Sequence, residues 1–278
     1  MHQDPADVRP GDSYVQSFAR GLEVIRSFSA SAPRQTLTEV ATRAGLTRAG
    51  ARRILLTLQT LGYVRSDGKL FTLTPRILDL GFAYLSSMPI WNVAEPAMEA
   101  LVEEVKESCS AGVLEGTDIV YVLRVSTRKI MRNTLGVGSR LPAYCTSLGR
   151  MLLAGLPDEQ VLKLLRASPI EARTRHTITE VDALLAKVQQ ARRQGWCLVN
   201  QELEEGLVSM AAPIVDRTGA TIAALNISGQ VNRTPPRQMQ EAMLPALGSA
   251  ALVTTVATLV AIALITAFCI ETRNHELL

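Results

Sequence analysis

The stretch from Thr36 to Leu73 constrains this chain more than any other. Two short apolar-periodic segments, Leu37 to Ala44 and Thr47 to Leu61, flank Gly45-Leu46, and the pattern Tyr63-Val-Arg-Ser-Asp-Gly-Lys-Leu-Phe71 follows directly. This order predicts a helix-turn-helix with a β-hairpin wing. In the second segment Ile54, Leu55, Leu58 and Leu61 recur at helical spacing and should form one buried stripe, so Arg48, Arg52 and Arg53 project elsewhere. Thr47 can cap that helix through its hydroxyl, and Gly62 can close it in the left-handed conformation.

Between Glu39 and Asp67 the chain carries five arginines and no acid, a local field suited to a polyanion. A small three-helix domain with a solvated charged face is the plainer alternative, but spacing, charge and hairpin agree on double-stranded DNA. In that geometry the second helix enters the major groove, where an arginine can pair with guanine O6 and N7. Thr47, Arg48, Gly50, Arg52 and Arg53 then lie near bases or the adjacent phosphates. The turn Ser66-Asp67-Gly68-Lys69 brings Arg65 and Lys69 toward a flanking phosphate or minor groove.

At 278 residues the chain exceeds the usual single-domain length of about 100 to 200, which predicts two domains. The net charge of +3 hides an asymmetry, because residues 1–87 hold 11 Lys+Arg against 7 Asp+Glu and the remainder 18 against 19. Cys109, Cys145, Cys197 and Cys269 are too scattered for zinc ligation or a disulfide scaffold, and read as reduced, buried thiols. No basic segment followed by an apolar run opens the chain, which predicts no cleaved secretion signal and a cytoplasmic location. Residues 1–13 are expected to be disordered.

In order, Phe18, Leu22, Ile25 and Phe28 predict a first helix over Ser17 to Phe28 beneath the other two, making residues 14–74 the winged domain. Leu73-Thr74-Pro75 starts a linker helix over 75–88, apolar on two sides and suited to dimer contacts. Asn92 to Ser108 reads as an amphipathic helix, Ser110 to Leu114 and Asp118 to Val125 as a hairpin turning at Glu115-Gly116-Thr117, and Met131 to Val137 as a further strand. Helices follow from Ser147, over Asp158 to Ala167 and over Val181 to Gln194, with strands at Leu207 to Val215 and Ala220 to Ser228. Strands and helices intersperse without strict alternation. The class is therefore α+β, an antiparallel sheet flanked by helices over 89–247, carrying a ligand-sensing role.

The three histidines, His2, His176 and His275, lie apart from one another and from any cysteine, and no phosphate loop, dinucleotide fingerprint or paired metal spacing occurs. The pattern predicts no enzyme, no cofactor and no metal. Two stretches frame a pocket: Leu141-Pro-Ala-Tyr-Cys-Thr-Ser-Leu-Gly-Arg150, and Asn200-Gln-Glu-Leu-Glu-Glu-Gly206 followed by Ser209. Thr146, Ser147 and Gly149 fall at a helix start, where unpaired N–H groups attract a carboxylate, so a small organic acid fits. Simple capping uses the same groups and explains them equally well. Asn226 and Ser228 share one face of a strand, as a pocket floor or as an ordinary half-exposed face.

The winged helix-turn-helix, then LPAYCTSLGRMLLA, then GWCLVNQELEEGLVSMAAPIVDRTGATIAALNISG, resemble in this order the IclR-type bacterial transcriptional regulators, over about Tyr14 to Leu247. The chain is most similar to the subgroup controlling protocatechuate and β-ketoadipate pathways of aromatic acid breakdown. The resemblance implies a dimer, or a dimer of dimers, on a palindromic operator and an effector acid in the C-terminal domain. It implies that Ser147 and Leu148 offer backbone amides to the effector carboxylate, with Ser209, Asn226 and Ser228 lining the pocket; Asn200, which opens the second framing stretch, is a candidate from that stretch alone. Val199 stands where some members carry an acid. Arg128, in the run Arg128-Lys129-Ile-Met-Arg132, is a further candidate for the carboxylate or part of a solvated surface run.

The tail over 248–278 departs from that resemblance. About 21 residues from Ala250 to Ile270 carry no charge and as a helix would span roughly 31 Å, close to the thickness of a bilayer. Thr254, Thr255, Thr258 and Thr266, many alanines and a flank of Glu271, Arg273 and Glu276 lack the anchors of a membrane span. Burial within the sensor domain or between subunits is the expectation, with membrane insertion and an altered reading frame as the alternatives. The functional alternative is an acid-binding sensor or enzyme whose N-terminal domain serves only oligomerisation.

Overall fold

Why the chain breaks where it does follows from its local signals. The structure, a computed structural model, describes residues 14–87, 90–127 and 135–275, with side chains left out at Val93 and from residue 257 on. The chain divides into two compact units, residues 1–86 and 87–278. The stretch expected to be disordered, residues 1–13, lies outside the described residues, as do Arg128 and most of the expected strand over Met131 to Val137.

In the first unit, α1 (Gln16–Arg26), α2 (Leu37–Arg43) and α3 (Arg48–Thr60) precede a hairpin of β2 (Val64–Ser66) and β3 (Leu70–Leu73). A two-residue strand that the periodicity does not show, β1 (Gln35–Thr36), adds to β3 and makes the sheet order β1-β3-β2. Immediately after it, Thr36 and Glu39 form a reciprocal capping box that starts α2. Thr47 accepts from the Gly50 N–H at 3.1 Å to start α3, and Gly62, at φ +80°, ends it.

The core of this unit is Val24, Val40, Ala41, Ala51, Leu55, Leu58 and Val64. Two expected members are displaced from it. Phe18 is 68% exposed, because Val24 and Ile25 form the inner face of α1, with Phe28 packing just beyond its end, and Leu61 is 50% exposed where α3 ends. After β3, a 3₁₀ turn (Pro75–Ile77) leads into α4 (Leu78–Ser86), whose Leu78, Leu80, Phe82 and Tyr84 are exposed.

The second unit is built on a six-stranded antiparallel sheet, ordered β6-β5-β4-β9-β8-β7. Its strands are β4 (Ser108–Glu115), β5 (Asp118–Val125), β6 (Arg140–Pro142), β7 (Cys197–Asn200), β8 (Leu207–Val215) and β9 (Thr221–Gln230). The edge strand beside β5 is thus Arg140–Pro142, beyond the Met131 to Val137 run that suggested a strand, and β7 has too short an apolar run to announce itself.

Helices α6 (Ser147–Ala154), α7 (Asp158–Ala167) and α8 (Val181–Gln194) lie on the face that presents Tyr121, Val199, Ala211 and Ala224. On the other face lie α5 (Ile90–Val105) and α9 (Pro236–His275), against Ala111, Ile227 and Gly229. A Cβ on Gly229 would meet the Glu107 carboxyl at 3.2 Å and Met239 at 3.4 Å. The helix α9 is continuous through residue 247, where the sequence suggested a boundary, and Thr255 Oγ1 accepts from the Val215 N–H at 3.3 Å. Leu247, Ala250, Ala251 and Thr254 are buried while Leu252, Val253 and Val256 face outward. Among the described residues no helix is long and apolar enough to cross a membrane.

Leu55 is fully buried at the centre of the small core. Leu55→Ala should cost about 2 to 5 kcal/mol and unfold the first unit at lower urea while the transition of the second stays in place, read by denaturation of the full chain.

Candidate functional sites

On α3 the exposed positions Arg48, Arg52, Leu56 and Gln59 follow at i, i+4, i+8 and i+11, a flank about a quarter turn round the helix from the buried Ala51, Leu55 and Leu58. This face and the wing enclose one hollow, to which the wing contributes Gly68 and Lys69. Arg48, Arg52 and Lys69 therefore converge. Arg53, one position round the helix, and Arg65, on the outer face of β2, are exposed but outside the hollow, and Thr47 and Gly50 hold the first turn of α3. Leu56 and Gln59 join the surface unannounced, since a lone leucine and glutamine on a basic face carry no signal in the sequence.

The tip of the wing is rigid. Asp67 Oδ1 accepts from the N–H groups of Leu70 and Lys69 at 2.8 and 3.1 Å, and Oδ2 from Arg34 at 2.8 Å. These backbone donors, with Arg34 behind them, hold its carboxyl below the usual range and keep it charged.

In the second unit, a cleft opens between the start of α6 and the sheet. Thr146 caps α6, accepting from Gly149 N–H at 3.2 Å and donating to Pro142 O at 2.9 Å. The N–H groups of Ser147 and Leu148 occupy the first turn, where a helix has no internal partner for them. Across the cleft stand Ser209, Asn226 and Ser228, with Tyr121 at one end and Val199 and Leu203 at the other. Ser147 is 1% and Asn226 4% exposed, yet Ser147 Oγ and Asn226 Oδ1 have no hydrogen-bond partner among the described residues. Two orphaned polar atoms in one cleft are unusual, because each costs about 1 to 3 kcal/mol unless something satisfies it. The free space is about 20 Å³, room for about one water, so a larger ligand must widen it.

Of the nine expected effector residues, Thr146, Ser147, Leu148, Ser209, Asn226 and Ser228 line this cleft. Gly149 does not. Its Cα is pressed on Ala143, where a Cβ would fall 2.3 Å from the Ala143 Cα and O, so its glycine serves close packing. Asn200 is also elsewhere: successive side chains of β7 point to opposite faces, and Val199 takes the inner one. Arg128 lies outside the described residues.

A buried ion pair closes the cleft, and the periodicity of α6 gives no hint of it. Arg150, 2% exposed, donates to both oxygens of Glu202 at 2.6 and 2.5 Å and through Nε to Tyr144 O at 3.0 Å. Thr174 and Thr177 donate to the carbonyls of Gln201 and Glu202, both at 2.6 Å. The loop carrying Leu203 over the cleft is thereby fixed to the helix beneath it. Cys145, the one thiol in the lining, is pushed up to about 11 by burial, with Arg173 and Arg150 opposing, and stays protonated at neutral pH.

Residues 82–254 match the family described as the bacterial transcriptional regulator IclR C-terminal domain, and residues 17–68 match the IclR helix-turn-helix domain. The chain is 42% identical over 235 residues to the Pca regulon regulatory protein of Pseudomonas putida, covering 84% of this chain and 81% of that protein. Among solved structures, it is similar to a candidate transcriptional regulator from Rhodococcus sp. RHA1 at 47% identity and TM-score 0.81, covering 90% of this chain and 100% of that one. An IclR homolog from Microbacterium hydrocarbonoxydans, complexed with 4-hydroxybenzoate, matches at 26% identity and TM-score 0.78, over 88% of this chain and 100% of that one.

Removing one member of the buried pair strands the other. Glu202→Ala should destabilise the second unit by about 3 to 5 kcal/mol, whereas Arg150→Met with Glu202→Leu together should cost far less. Urea midpoints of the three chains decide it, and a small loss in the single variant would mean the pair is dispensable.

Proposed function

This chain belongs to the IclR family of bacterial transcriptional regulators, and we propose that it is a one-component switch whose operator affinity is set by a small aromatic or β-keto acid bound against α6. The observation that carries the effector half is the pair of orphaned buried atoms, Ser147 Oγ and Asn226 Oδ1, facing one cleft beside the free amides of a helix start. A carboxylate on the Ser147 and Leu148 N–H groups, with the ring or chain directed toward Ser209, Asn226 and Ser228, satisfies these groups together. Two relatives support the class of acid: the similar regulator of a Pca regulon and the homolog crystallised with 4-hydroxybenzoate.

The DNA half rests on Arg48, Arg52 and Lys69 converging on one hollow. Arg52 is the residue to read guanine, and Thr47, Gly50, Arg53 and Arg65 position the helix and wing through backbone and phosphate contacts. Two copies of the helix on a palindromic operator require a dimer, and the exposed apolar faces of α1 and α4 give it surface to bury; a dimer of dimers extends the same principle. The effector acts by binding one arrangement of the dimer better than another. No turnover is part of this role: the thiol in the cleft is a poor nucleophile and His176 is exposed outside it. DNA being the partner, the place of action is the cytoplasm.

Gel-shift titration of the promoter next to its own gene should give a salt-dependent complex whose affinity changes when 4-hydroxybenzoate or a related acid is added. No complex at low salt would overturn the reading, as would consumption of the acid by the purified protein. Arg52→Ala should weaken operator binding by about 1 to 3 kcal/mol and random DNA much less; an unchanged ratio rejects base reading. Asn226→Ala should weaken the acid by about 1 kcal/mol, roughly fivefold, and leave operator binding without acid intact.

A further inference from the structure

The outward surface of α3 carries one residue that charge does not account for. Leu56 is 42% exposed and takes no part in the core of the first unit. It lies four positions after Arg52 and three after Arg53, so on the helix surface it is the neighbour of both, and the exposed Ala49 precedes it by seven positions on the same stripe. The hydroxyls of Thr57 and Thr60 beside it turn back on the helix, donating to the carbonyls of Arg53 and Leu56, each at 3.0 Å. The third turn therefore presents hydrocarbon between two arginines. It lines the same hollow as Arg48, Arg52 and Lys69.

A lone leucine on a solvated surface calls for no partner. This one stands on the surface that loses its water when α3 enters the major groove, so what it meets there decides whether it helps or hinders binding. Guanine, adenine and cytosine offer that groove hydrogen-bonding atoms, whereas thymine adds an apolar group, its 5-methyl. Leucine against O6, N7 or N4 strips water from a polar atom and returns no hydrogen bond. Against the methyl it buries apolar surface on both sides. A second copy of the chain fits this surface poorly, because it would press Arg52 and Arg53 against like charges.

We infer that Leu56 is a specificity-determining residue that packs on the 5-methyl group of a thymine in each operator half-site, between the guanine taken by Arg52 and the phosphate held by Arg53. The inference rests on the DNA reading above and adds an apolar reader to a basic one. One buried methyl group is worth about fourfold in affinity, and two half-sites about fifteenfold.

Removing the methyl groups from the DNA tests the contact from the other side. The promoter fragment next to the protein's own gene is amplified with dTTP or with dUTP, which deletes every 5-methyl group and keeps base pairing, and full-length wild type and Leu56→Ala are titrated on both fragments by gel shift at one salt concentration. Wild type should bind the uracil fragment about four- to fifteenfold more weakly than the thymine fragment. Leu56→Ala should bind the thymine fragment at about the level of wild type on uracil, and should lose no more than about a further twofold on uracil, because each partner's removal already breaks the contact. A wild type indifferent to uracil, or a uracil penalty of equal size in the two chains, overturns the assignment and leaves the DNA reading standing. So does a Leu56→Ala chain that binds the thymine fragment as tightly as wild type. No complex of wild type with the thymine fragment at low salt overturns both.

Discussion

The Arg150–Glu202 pair is the interaction on which the sensor half of this protein depends. Arg150 lies on α6, four positions beyond the Thr146 cap, and Glu202 in the loop after β7, so the pair ties the helix start to the loop that covers it. Two charges out of water are tolerable only with their hydrogen bonds completed, and here Tyr144 O takes a third donor while the Ile178 N–H reaches the carboxylate at 3.3 Å. The second loop, around Thr174 to Ile178, is drawn into the same lattice by Thr174 and Thr177. One consequence is rigidity around a narrow cleft. The other is that the groups left over, Ser147 Oγ, Asn226 Oδ1 and the first-turn amides of α6, are held in place without partners, which is the condition of a site organised before its ligand arrives.

The DNA-binding half is organised differently, by local signals rather than by one distant pair. Capping by Thr36 and Thr47, the turn glycines and the Asp67 clasp of the wing each act within a few residues. That is why the helix-turn-helix could be read from the sequence almost residue by residue, including the cap and the left-handed Gly62. Arg48, Arg52 and Lys69 converge because a period of four on α3 and a tight hairpin put them there. The errors were those of tertiary choice: Phe18 and Leu61 have the right spacing for the core but sit beyond the reach of its small volume.

In the sensor half, the long strands and helices were legible, since α7, α8 and β8 carry periodic runs of full length. The pocket was legible at its two sequence-local ends, Thr146 to Leu148 and Asn226 to Ser228. What joins them was not. Tyr121 enters the site only through the pairing of β4 with β5 and β9, and the irregularity between Ala111 and Gly112 shifts the β4–β5 register by one residue. Asn200 was lost to the same alternation of strand faces that brought in Val199. Non-local pairing of this kind leaves no periodic trace in one sequence.

Hydrogen exchange of the full-length protein with and without a saturating acid that alters its operator binding tests the central claim most directly. Exchange should slow at the amides of Ser147 and Leu148 and through the loop from Gln201 to Leu207, where ligand, helix start and cover meet. Unchanged exchange at those amides, with protection appearing elsewhere in the chain, would place the effector outside this cleft and contradict it.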